Sequence, residues 1–247
     1  MAGWIEATIS ERREWTSGLI TLQLSPRLER FVSGQFVNLG LHVAGEWVRR
    51  SYSLASAPDA LPEFYLTRVQ SGALTPALFE LSVGAHVMME PKASGFFTLD
   101  YVPPAKEAWL IATGTGLGPF ISMLRSGQLW PRFERVVLVH GVREVDQLGY
   151  REELAELART RGGQFRIVNV ISRQPVSDEY LRGRIPALIT SGQLQERAGL
   201  IFDAGQSHVL LCGNPEMIRD TTEALKAFGL RKHRQRAPGH ITTEKYW

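Results

Sequence analysis

The pattern of apolar residues changes at Pro103-Pro104, and this change constrains the fold more than any other feature of the chain. Before it, short alternating or apolar runs recur at intervals of roughly ten residues, as in an antiparallel barrel or sandwich. Turn pairs such as Ser-Pro, Ser-Gly and Ala-Gly separate them. The predicted strands are 4–9, 19–24, 35–41, 47–54, 63–69 and 86–90, with one helix over 75–81.

After the proline pair, nearly continuous apolar strands alternate with helices. This order predicts an α/β domain whose parallel sheet is covered on both faces. The predicted strands are 108–112, 135–140, 165–171 and 208–212, and the predicted helices are 119–126, 150–161, 186–191 and 215–228. The sequence therefore predicts two domains, 1–102 and 103–247, which the length of 247 residues accommodates.

Composition excludes several classes of function. The single cysteine, Cys212, allows neither an internal disulfide nor an iron–sulfur cluster with four thiolate ligands. A formal charge of +3 gives no reason to expect nucleic-acid binding, and the six histidines show no metal-ligand spacing. With neither a secretory signal nor a long apolar stretch, the chain is predicted to be cytoplasmic, with no membrane partner and no metal.

A glycine-rich turn follows the first strand of the second domain. In the segment Gly114-Thr-Gly-Leu-Gly-Pro119, glycines at alternate positions would let the backbone approach a diphosphate, and the next helix would present its N–H groups. The spacing departs from G-x-G-x-x-G, and a purely structural loop is the alternative.

Basic residues follow the next two strands. Arg143 follows one, and Ser172-Arg173 follow the other, where an NAD site would instead want an acidic residue. Because guanidinium groups donate paired hydrogen bonds to phosphate oxygens, this pattern favours NADP over NAD. Two unrelated surface arginines are the alternative.

The first domain contains a polar stretch inside an apolar strand. In Arg50-Ser-Tyr-Ser53, a cation, an aromatic ring and hydroxyls lie together, which suits an aromatic cofactor bearing phosphate. The turn Gly72-Ala-Leu-Thr75 before the short helix is a second possible anion site. The alternative is Tyr52 as plain core beside an Arg50 whose stem packs on apolar surface.

A basic cluster over 231–236 contains five cationic or imidazole side chains and no acid. It is either a solvated face or a contact for an acidic partner or a ligand phosphate.

Taken together in this order, the motifs resemble a known family. Besides those above they are His140-Gly-Val-Arg143, Gly183-Arg-Ile-Pro186, Cys212-Gly-Asn-Pro-Glu-Met217 and the aromatic ending at Tyr246-Trp247. The chain resembles the bacterial ferredoxin (flavodoxin)–NADP reductases over essentially its full length. The resemblance implies a six-stranded antiparallel barrel that binds FAD, followed by a parallel α/β domain that binds NADP(H).

The resemblance also assigns residues. It implies an FAD site formed by Arg50, Ser51, Tyr52, Ser53, Tyr65, Leu66, Thr67, Arg68, Ala73, Leu74, Thr75, Thr115, Tyr246 and Trp247. It implies an NADP site formed by Gly114, Gly116, Val142, Arg143, Ser172, Arg173, Arg184, Cys212, Gly213 and Asn214. Ser53 and Cys212 would lie beside the reacting atoms, and we expect no catalytic triad.

The activity that the resemblance implies is hydride transfer from NADPH to flavin N5, followed by single-electron steps to an acidic ferredoxin or flavodoxin. It also implies a monomer. Two alternatives remain open at this point. One is a flavoprotein reductase with another acceptor, such as siderophore iron, free flavin or an oxygenase component. The other is a regulator that binds NADP without turnover. Cys212 as a small apolar residue, and His140 and His208 as structural residues, are likewise alternatives.

Overall fold

The computed structural model describes residues 3–246 of the chain. These form two compact units, the first from the residues up to Leu99 with Gly118–Ser126, and the second from Asp100–Leu117 with the residues from Gly127 onward. The predicted domains 1–102 and 103–247 differ from these units mainly in segment 118–126, and their boundary stays a prediction.

Six antiparallel strands and one short helix form most of the first unit. They are β1 (Ile5–Thr16), β2 (Leu19–Ser25), β3 (Phe36–Val43), β4 (Glu46–Ser53), β5 (Glu63–Thr67), α1 (Thr75–Phe79) and β6 (His86–Met89). The sheet order is β4-β3-β6-β1-β2-β5. A bridge between Leu54, just after β4, and Phe64 of β5 joins the two edge strands. The sheet therefore curls towards closure, as a barrel requires.

The interior of this sheet follows from alternation along the strands. Ile20, Leu22 and Leu24 of β2 are fully buried in one apolar cluster that also contains Leu39 and Phe64. Successive side chains on a strand point to opposite faces, so every second residue of β2 enters the barrel core.

The helix α2 (Gly118–Arg125) is grouped with this first unit. Its Ser122 hydroxyl donates to the Ser56 carbonyl at 2.6 Å, and its carbonyl accepts from the Ser33 hydroxyl at 3.1 Å. Arg125 forms an ion pair of 2.8 Å with Glu63. These polar contacts explain why a helix that follows the first strand of the second unit packs with the barrel.

The second unit is a parallel sheet with helices. Its strands are β7 (Glu107–Thr113), β8 (Arg135–Val142), β9 (Phe165–Ile171), β10 (Leu181–Arg182), β11 (Ser207–Gly213) and β12 (Ile241–Lys245), in the order β10-β9-β8-β7-β11-β12. Its helices are α3 (Arg151–Arg161), α4 (Ile185–Thr190), α5 (Gln193–Ala198) and α6 (Pro215–Leu225). The strand order reverses between β7 and β11, and ligands bind at the carboxyl ends of strands at such a switch point.

The two-part fold, antiparallel barrel followed by parallel α/β sheet, is confirmed. Each of the ten predicted strands overlaps an observed strand. β10, α5 and β12 were not predicted from the sequence. Within residues 3–246, no helix has both the length and the apolar composition that crossing a bilayer demands.

Candidate functional site

In the barrel, the polar stretch lies on β4, where neighbouring residues face opposite sides. Tyr52 pairs with Val37 and packs against the barrel core, which also contains Leu54. The Tyr52 hydroxyl is buried and finds no hydrogen-bond partner among residues 3–246. Burial raises the pKa of Tyr52 to about 12, against a smaller opposing effect of Arg50, so the hydroxyl keeps its proton. The hydroxyl is a donor for which the described residues provide no acceptor.

Ser51 faces the other side and belongs to a polar chain. Its hydroxyl contacts Asn38 Oδ1 at 2.7 Å, and the Asn38 amide donates to Glu90 at 2.8 Å. Arg50 is exposed and donates to the Arg49 carbonyl at 2.7 Å, whereas Ser53 is buried opposite Phe36. The four predicted residues thus differ in environment, with Arg50 and Ser51 exposed and Tyr52 and Ser53 sheltered.

The predicted cofactor residues on and after β5 are partly core. Tyr65 and Leu66 are buried, so Leu66 can offer only backbone atoms to a ligand. The Thr67 hydroxyl donates to the Gly18 carbonyl at 3.2 Å. Arg68 pairs with Glu80 at 2.8 Å, and its Nε is buried with no partner in the described part of the chain. Like the Tyr52 hydroxyl, Arg68 Nε is a donor available to a ligand.

The turn before α1 is closed by its own threonine. The Val69 N–H donates to the Thr75 hydroxyl at 3.0 Å, and the Gly72 N–H donates to the Val69 carbonyl at 2.9 Å. Leu74 is buried, while Ala73 is exposed. This turn presents backbone at Ala73 to its surroundings and anchors itself through Leu74.

The glycine-rich turn of the second unit lies at the switch point of the sheet. It follows β7 as a 3-10 turn, Gly114–Leu117, next to the end of β11. A Cβ on Gly116 would lie 2.6 Å from the Cys212 carbonyl oxygen and 2.8 Å from Gly213 Cα. Only a glycine allows this approach. The turn and the end of β11 therefore pack backbone against backbone.

Cys212, Gly213 and Asn214 follow one another at that strand end. The Asn214 N–H donates to the Thr113 hydroxyl at 3.0 Å, and the Asn214 side chain caps α6 by accepting from two backbone N–H groups. Cys212 is fully buried, with its sulfur 4.0 Å from Glu244 Oε2. Burial, with a smaller effect of Glu244, raises the pKa of the Cys212 thiol, which stays protonated. The Tyr246 N–H donates to the Gly213 carbonyl at 3.0 Å, and Trp247 lies outside the described residues.

Three predicted arginines follow three neighbouring strands. Arg143 follows β8, Arg173 follows β9 and Arg184 follows β10. The Arg173 N–H donates to the Arg143 carbonyl at 2.9 Å, and Ser172 bonds Val142 through both its N–H and its hydroxyl. All three guanidinium groups are exposed, and none forms an ion pair or side-chain hydrogen bond with any of residues 3–246. They form an unpaired cationic edge at the carboxyl ends of β8, β9 and β10, of which β8 neighbours β7 and its glycine-rich turn.

Comparisons with known proteins agree with this geometry. Residues 110–223 match the model of the oxidoreductase NAD-binding domain. The flavodoxin/ferredoxin–NADP reductase of Escherichia coli (strain K12) is 43% identical over the full length of both chains. The chain belongs to this reductase family. Its membership confirms the resemblance and the prediction of an oxidoreductase.

Solved structures place the reductase in the same fold. A ferredoxin NADP+ reductase from Neisseria gonorrhoeae with bound FAD and NADP matches with a TM-score of 0.92 and 31% identity, covering 99% of each chain. An Amycolatopsis cytochrome P450 reductase matches with a TM-score of 0.77 and 30% identity, covering 98% of this chain and 70% of that one.

Two residues that contact the predicted site residues were not found from the sequence. Glu244 lies on β12, which pairs with β11 so that Cys212 and Glu244 are partners in register. Thr113, the last residue of β7, holds Asn214. Neither has a local signal, because the proximity arises only from strand pairing. Among the described residues no cluster of three His, Cys, Asp or Glu could hold a metal ion.

Proposed function

We propose that this chain is an FAD-dependent oxidoreductase that transfers electrons between NADPH and ferredoxin or flavodoxin. Its family relatives bear that name, and the Neisseria structure holds both FAD and NADP. A bound flavin supplies the exchange between one two-electron hydride donor and one-electron acceptors. The residues of the chain supply binding, orientation and electrostatics.

The unpaired cationic edge carries the proposal. Exposed arginines that have no carboxylate partner among residues 3–246 follow β8, β9 and β10, on the same edge of the sheet as the glycine-rich turn at the switch point. A 2′-phosphate supplies the paired oxygens that a guanidinium binds best. We therefore assign Arg143, Ser172, Arg173 and Arg184 to the NADP phosphates. Gly114 and Gly116, in the glycine-rich turn, and Val142, at the end of β8, are assigned to the site that receives the dinucleotide.

The barrel residues fit a flavin. Tyr52 offers a buried hydroxyl that has no partner within residues 3–246, and Arg68 offers an equally unpaired Nε. An aromatic cofactor with ring carbonyls and a diphosphate has acceptors for such donors. We assign Arg50, Ser51, Tyr52 and Ser53, the residues Tyr65 to Arg68, the turn Ala73 to Thr75, and Thr115 and Tyr246 to the FAD site. Trp247 completes that assignment from the sequence alone.

Ser53 and Cys212 are our candidates for side chains beside the reacting atoms. The Cys212 thiol stays protonated, so its role is contact and shape rather than nucleophilic attack. Glu244, 4.0 Å from its sulfur, joins them as a candidate.

The acidic carrier is proposed to meet a basic hairpin, which we define as residues 231–236. Arg234 and Ala237 exchange two backbone hydrogen bonds of 3.1 and 2.9 Å, which close a tight turn. Lys232, Arg234 and Arg236 are exposed and have no carboxylate partner in the described chain. Charge complementarity steers association with an acidic carrier.

Further features of the proposal rest on the sequence. We propose a monomer, located in the cytoplasm, with two domains at 1–102 and 103–247. The net charge of +3 gives no support for nucleic acid as a partner, and we propose none, nor a membrane.

The decisive experiment is anaerobic reduction of the purified protein, followed through flavin absorbance. NADPH and NADH are added separately, and oxidised ferredoxin or flavodoxin is added afterwards. We expect stoichiometric FAD, rapid bleaching by NADPH only, and reoxidation by the carrier. A preparation without flavin would contradict the FAD assignment, and equal bleaching by NADH would contradict the 2′-phosphate assignment.

A second candidate is a reductase for another acceptor. The Amycolatopsis relative is a cytochrome P450 reductase with the same fold. Bleaching by NADPH without reoxidation by ferredoxin or flavodoxin would favour an oxygenase component, siderophore iron or free flavin as the acceptor.

A further inference from the structure

His140 is a buried titratable residue to which the proposed function gives no role. It lies near the end of β8, is 1% exposed, and pairs in register with Ala112 of β7. Its Nε2 lies 3.1 Å from the carbonyl oxygen of Gly114, the first residue of the glycine-rich turn. A carbonyl oxygen only accepts hydrogen bonds, so Nε2 must bear the hydrogen and donate it.

The charge state of this imidazole suits a fixed donor. Burial lowers the pKa of His140 to about 4, an effect only partly opposed by the bond to Gly114. The ring is therefore neutral at neutral pH and adds no charge to the phosphate site. Its contribution to the turn is geometric.

Gly114 is the point of the turn where the backbone is least constrained. Its φ is +53°, and a Cβ built on it would meet nothing within 4 Å, in contrast to the crowded Gly116. Glycine populates several backbone conformations at little cost. The 3-10 pattern of Gly114–Leu117 uses the Gly114 carbonyl oxygen as an i→i+3 acceptor, and the bond from His140 adds a second, side-chain constraint on the Gly114–Thr115 peptide.

The constraint has a directional consequence. A trans peptide is planar, so the carbonyl of Gly114 and the N–H of Thr115 point in opposite directions. While the carbonyl is held towards buried His140, the Thr115 N–H is held away from it. A rotated peptide would instead aim a carbonyl oxygen where that N–H now points, and an oxygen there repels phosphate.

We infer that His140 is a positioning residue, which orients the Gly114–Thr115 peptide so that an N–H rather than a carbonyl oxygen faces the bound dinucleotide. This inference rests on the proposed NADP(H) site. It assigns a specific atom of His140, Nε2, to the geometry of nucleotide binding.

The test compares three variants of the full-length holoenzyme. In His140→Gln the amide nitrogen lies about as far along the side chain as Nε2 of the histidine. In His140→Asn the amide nitrogen lies nearer to the position of the histidine Nδ1. The side chain of His140→Leu has no hydrogen-bond donor. We expect the KM for NADPH to rise about 5- to 10-fold in the Leu and Asn variants, with kcat changed less than 2-fold. The Gln variant should return to within about 2-fold of the parent.

Two controls separate positioning from general damage. FAD content should match that of the parent in the Gln and Asn variants. Binding of adenosine 2′-monophosphate, which lacks the diphosphate, should change less than 2-fold because it depends on the arginines. If the Leu variant does not fold, the comparison of Asn with Gln still decides.

Three outcomes would overturn the inference: an unchanged KM in all variants, equal impairment of Gln and Asn, or loss of adenosine 2′-monophosphate binding together with NADPH. A parent enzyme that does not oxidise NADPH would instead contradict the proposed function, so the two failures are distinguishable.

Discussion

At the scale of single residues, Arg173 gives the sharpest test of nucleotide selection. Its guanidinium has no carboxylate to neutralise it within the described chain, so an alanine there loses a phosphate contact and leaves no anion unpaired. For Arg173→Ala we expect the KM for NADPH to rise about 10- to 100-fold, because a hydrogen bond to a charged group contributes about 1.5–3 kcal/mol. The KM for NADH should change less than 3-fold, since NADH lacks the phosphate.

The matched control for this variant is Arg166→Ala. Arg166 is an exposed arginine near the opposite end of the same strand, β9, and donates to the Arg197 carbonyl at 3.4 Å. Steady-state kinetics should show no change for either nucleotide. Equal loss with NADPH and NADH in Arg173→Ala would contradict the phosphate assignment.

The Tyr52 hydroxyl predicts effects of opposite sign on the empty and the loaded protein. Because this buried hydroxyl has no partner in residues 3–246, Tyr52→Phe removes an unsatisfied group from the apoprotein. We expect the free energy of unfolding of the apoprotein to stay equal or rise by up to about 1 kcal/mol. The dissociation constant of FAD should rise about 3- to 10-fold. Denaturation of apoprotein and flavin titration measure the two quantities.

Tyr180→Phe is the control for Tyr52→Phe. Tyr180 is also buried, but its hydroxyl accepts from Arg151 at 3.1 Å. Removal of the Tyr180 hydroxyl should lower the free energy of unfolding of the apoprotein and leave the affinity for FAD unchanged. Destabilised apoprotein with normal flavin binding in Tyr52→Phe would refute the assignment.

At the scale of elements, the close packing of the glycine-rich turn on β11 predicts a steric cost. A methyl group on Gly116 would meet backbone of Cys212 and Gly213, which cannot move aside as a side chain can. Gly116→Ala should lose about 1–3 kcal/mol of unfolding free energy in urea titrations. Gly163→Ala, where the added carbon meets nothing within 4 Å, should change it by less than about 0.5 kcal/mol. If the two variants were equally stable, the backbone around Gly116 would be able to shift and accommodate the methyl group.

The basic hairpin predicts an effect on association alone. Reversing charge in an Arg234→Glu, Arg236→Glu double variant should lower the association rate with acidic ferredoxin about 10-fold or more at low salt, and flatten its salt dependence. NADPH oxidation by ferricyanide should be unchanged. The matched Arg27→Glu, Arg30→Glu variant changes the net charge equally, at two other exposed arginines that have no carboxylate partner in the described part of the chain. Equal slowing by both variants, or parallel loss of the ferricyanide activity, would exclude a specific docking role.

Some strands and site residues follow from the sequence alone, and others depend on their neighbours in the fold. The sequence predicts β9 residue for residue and the other nine predicted strands to within their ends, because apolar runs rich in β-branched residues have few alternatives. β12, with the sequence Ile-Thr-Thr-Glu-Lys, has no apolar run and is a strand because β11 offers it a free edge. The residues of the candidate site fall into the same two groups, those that the sequence predicts and those that it does not. Motif residues were found in the sequence, whereas Glu244 and the bond from His140 to Gly114 arise only from pairing between distant strands.

At the scale of the whole molecule, two buried histidines predict an acid-dependent loss of stability. Burial lowers the pKa of His140 to about 4 and that of His208 to about 3. Each therefore binds a proton more readily in the unfolded chain, so the folded state is favoured above pH 6.5 and loses stability as the pH falls below it. Between pH 7 and pH 5 each contributes a loss of about 1–2 kcal/mol.

His208→Gln tests this dependence. Gln can still bond the Thr242 hydroxyl, which His208 contacts at 2.9 Å, but does not titrate. The drop in unfolding free energy from pH 7 to pH 5 should shrink by about 1–2 kcal/mol. A parent-like drop in His208→Gln would contradict the assigned pKa.

The pairing of β7 with β11 determines when the central strand of the parallel sheet can be completed during translation. Ser207 pairs with Glu107, so the central strand β7 gains its second neighbour only after the intervening chain has been made. At about 5–20 residues per second, roughly 5–20 s of translation separate the two strands. Throughout that interval an almost wholly apolar strand has an open edge, the kind of surface on which nascent chains aggregate. The strand order that places β7 at the centre of the sheet therefore leaves this apolar edge of the growing chain uncovered until β11 has been made.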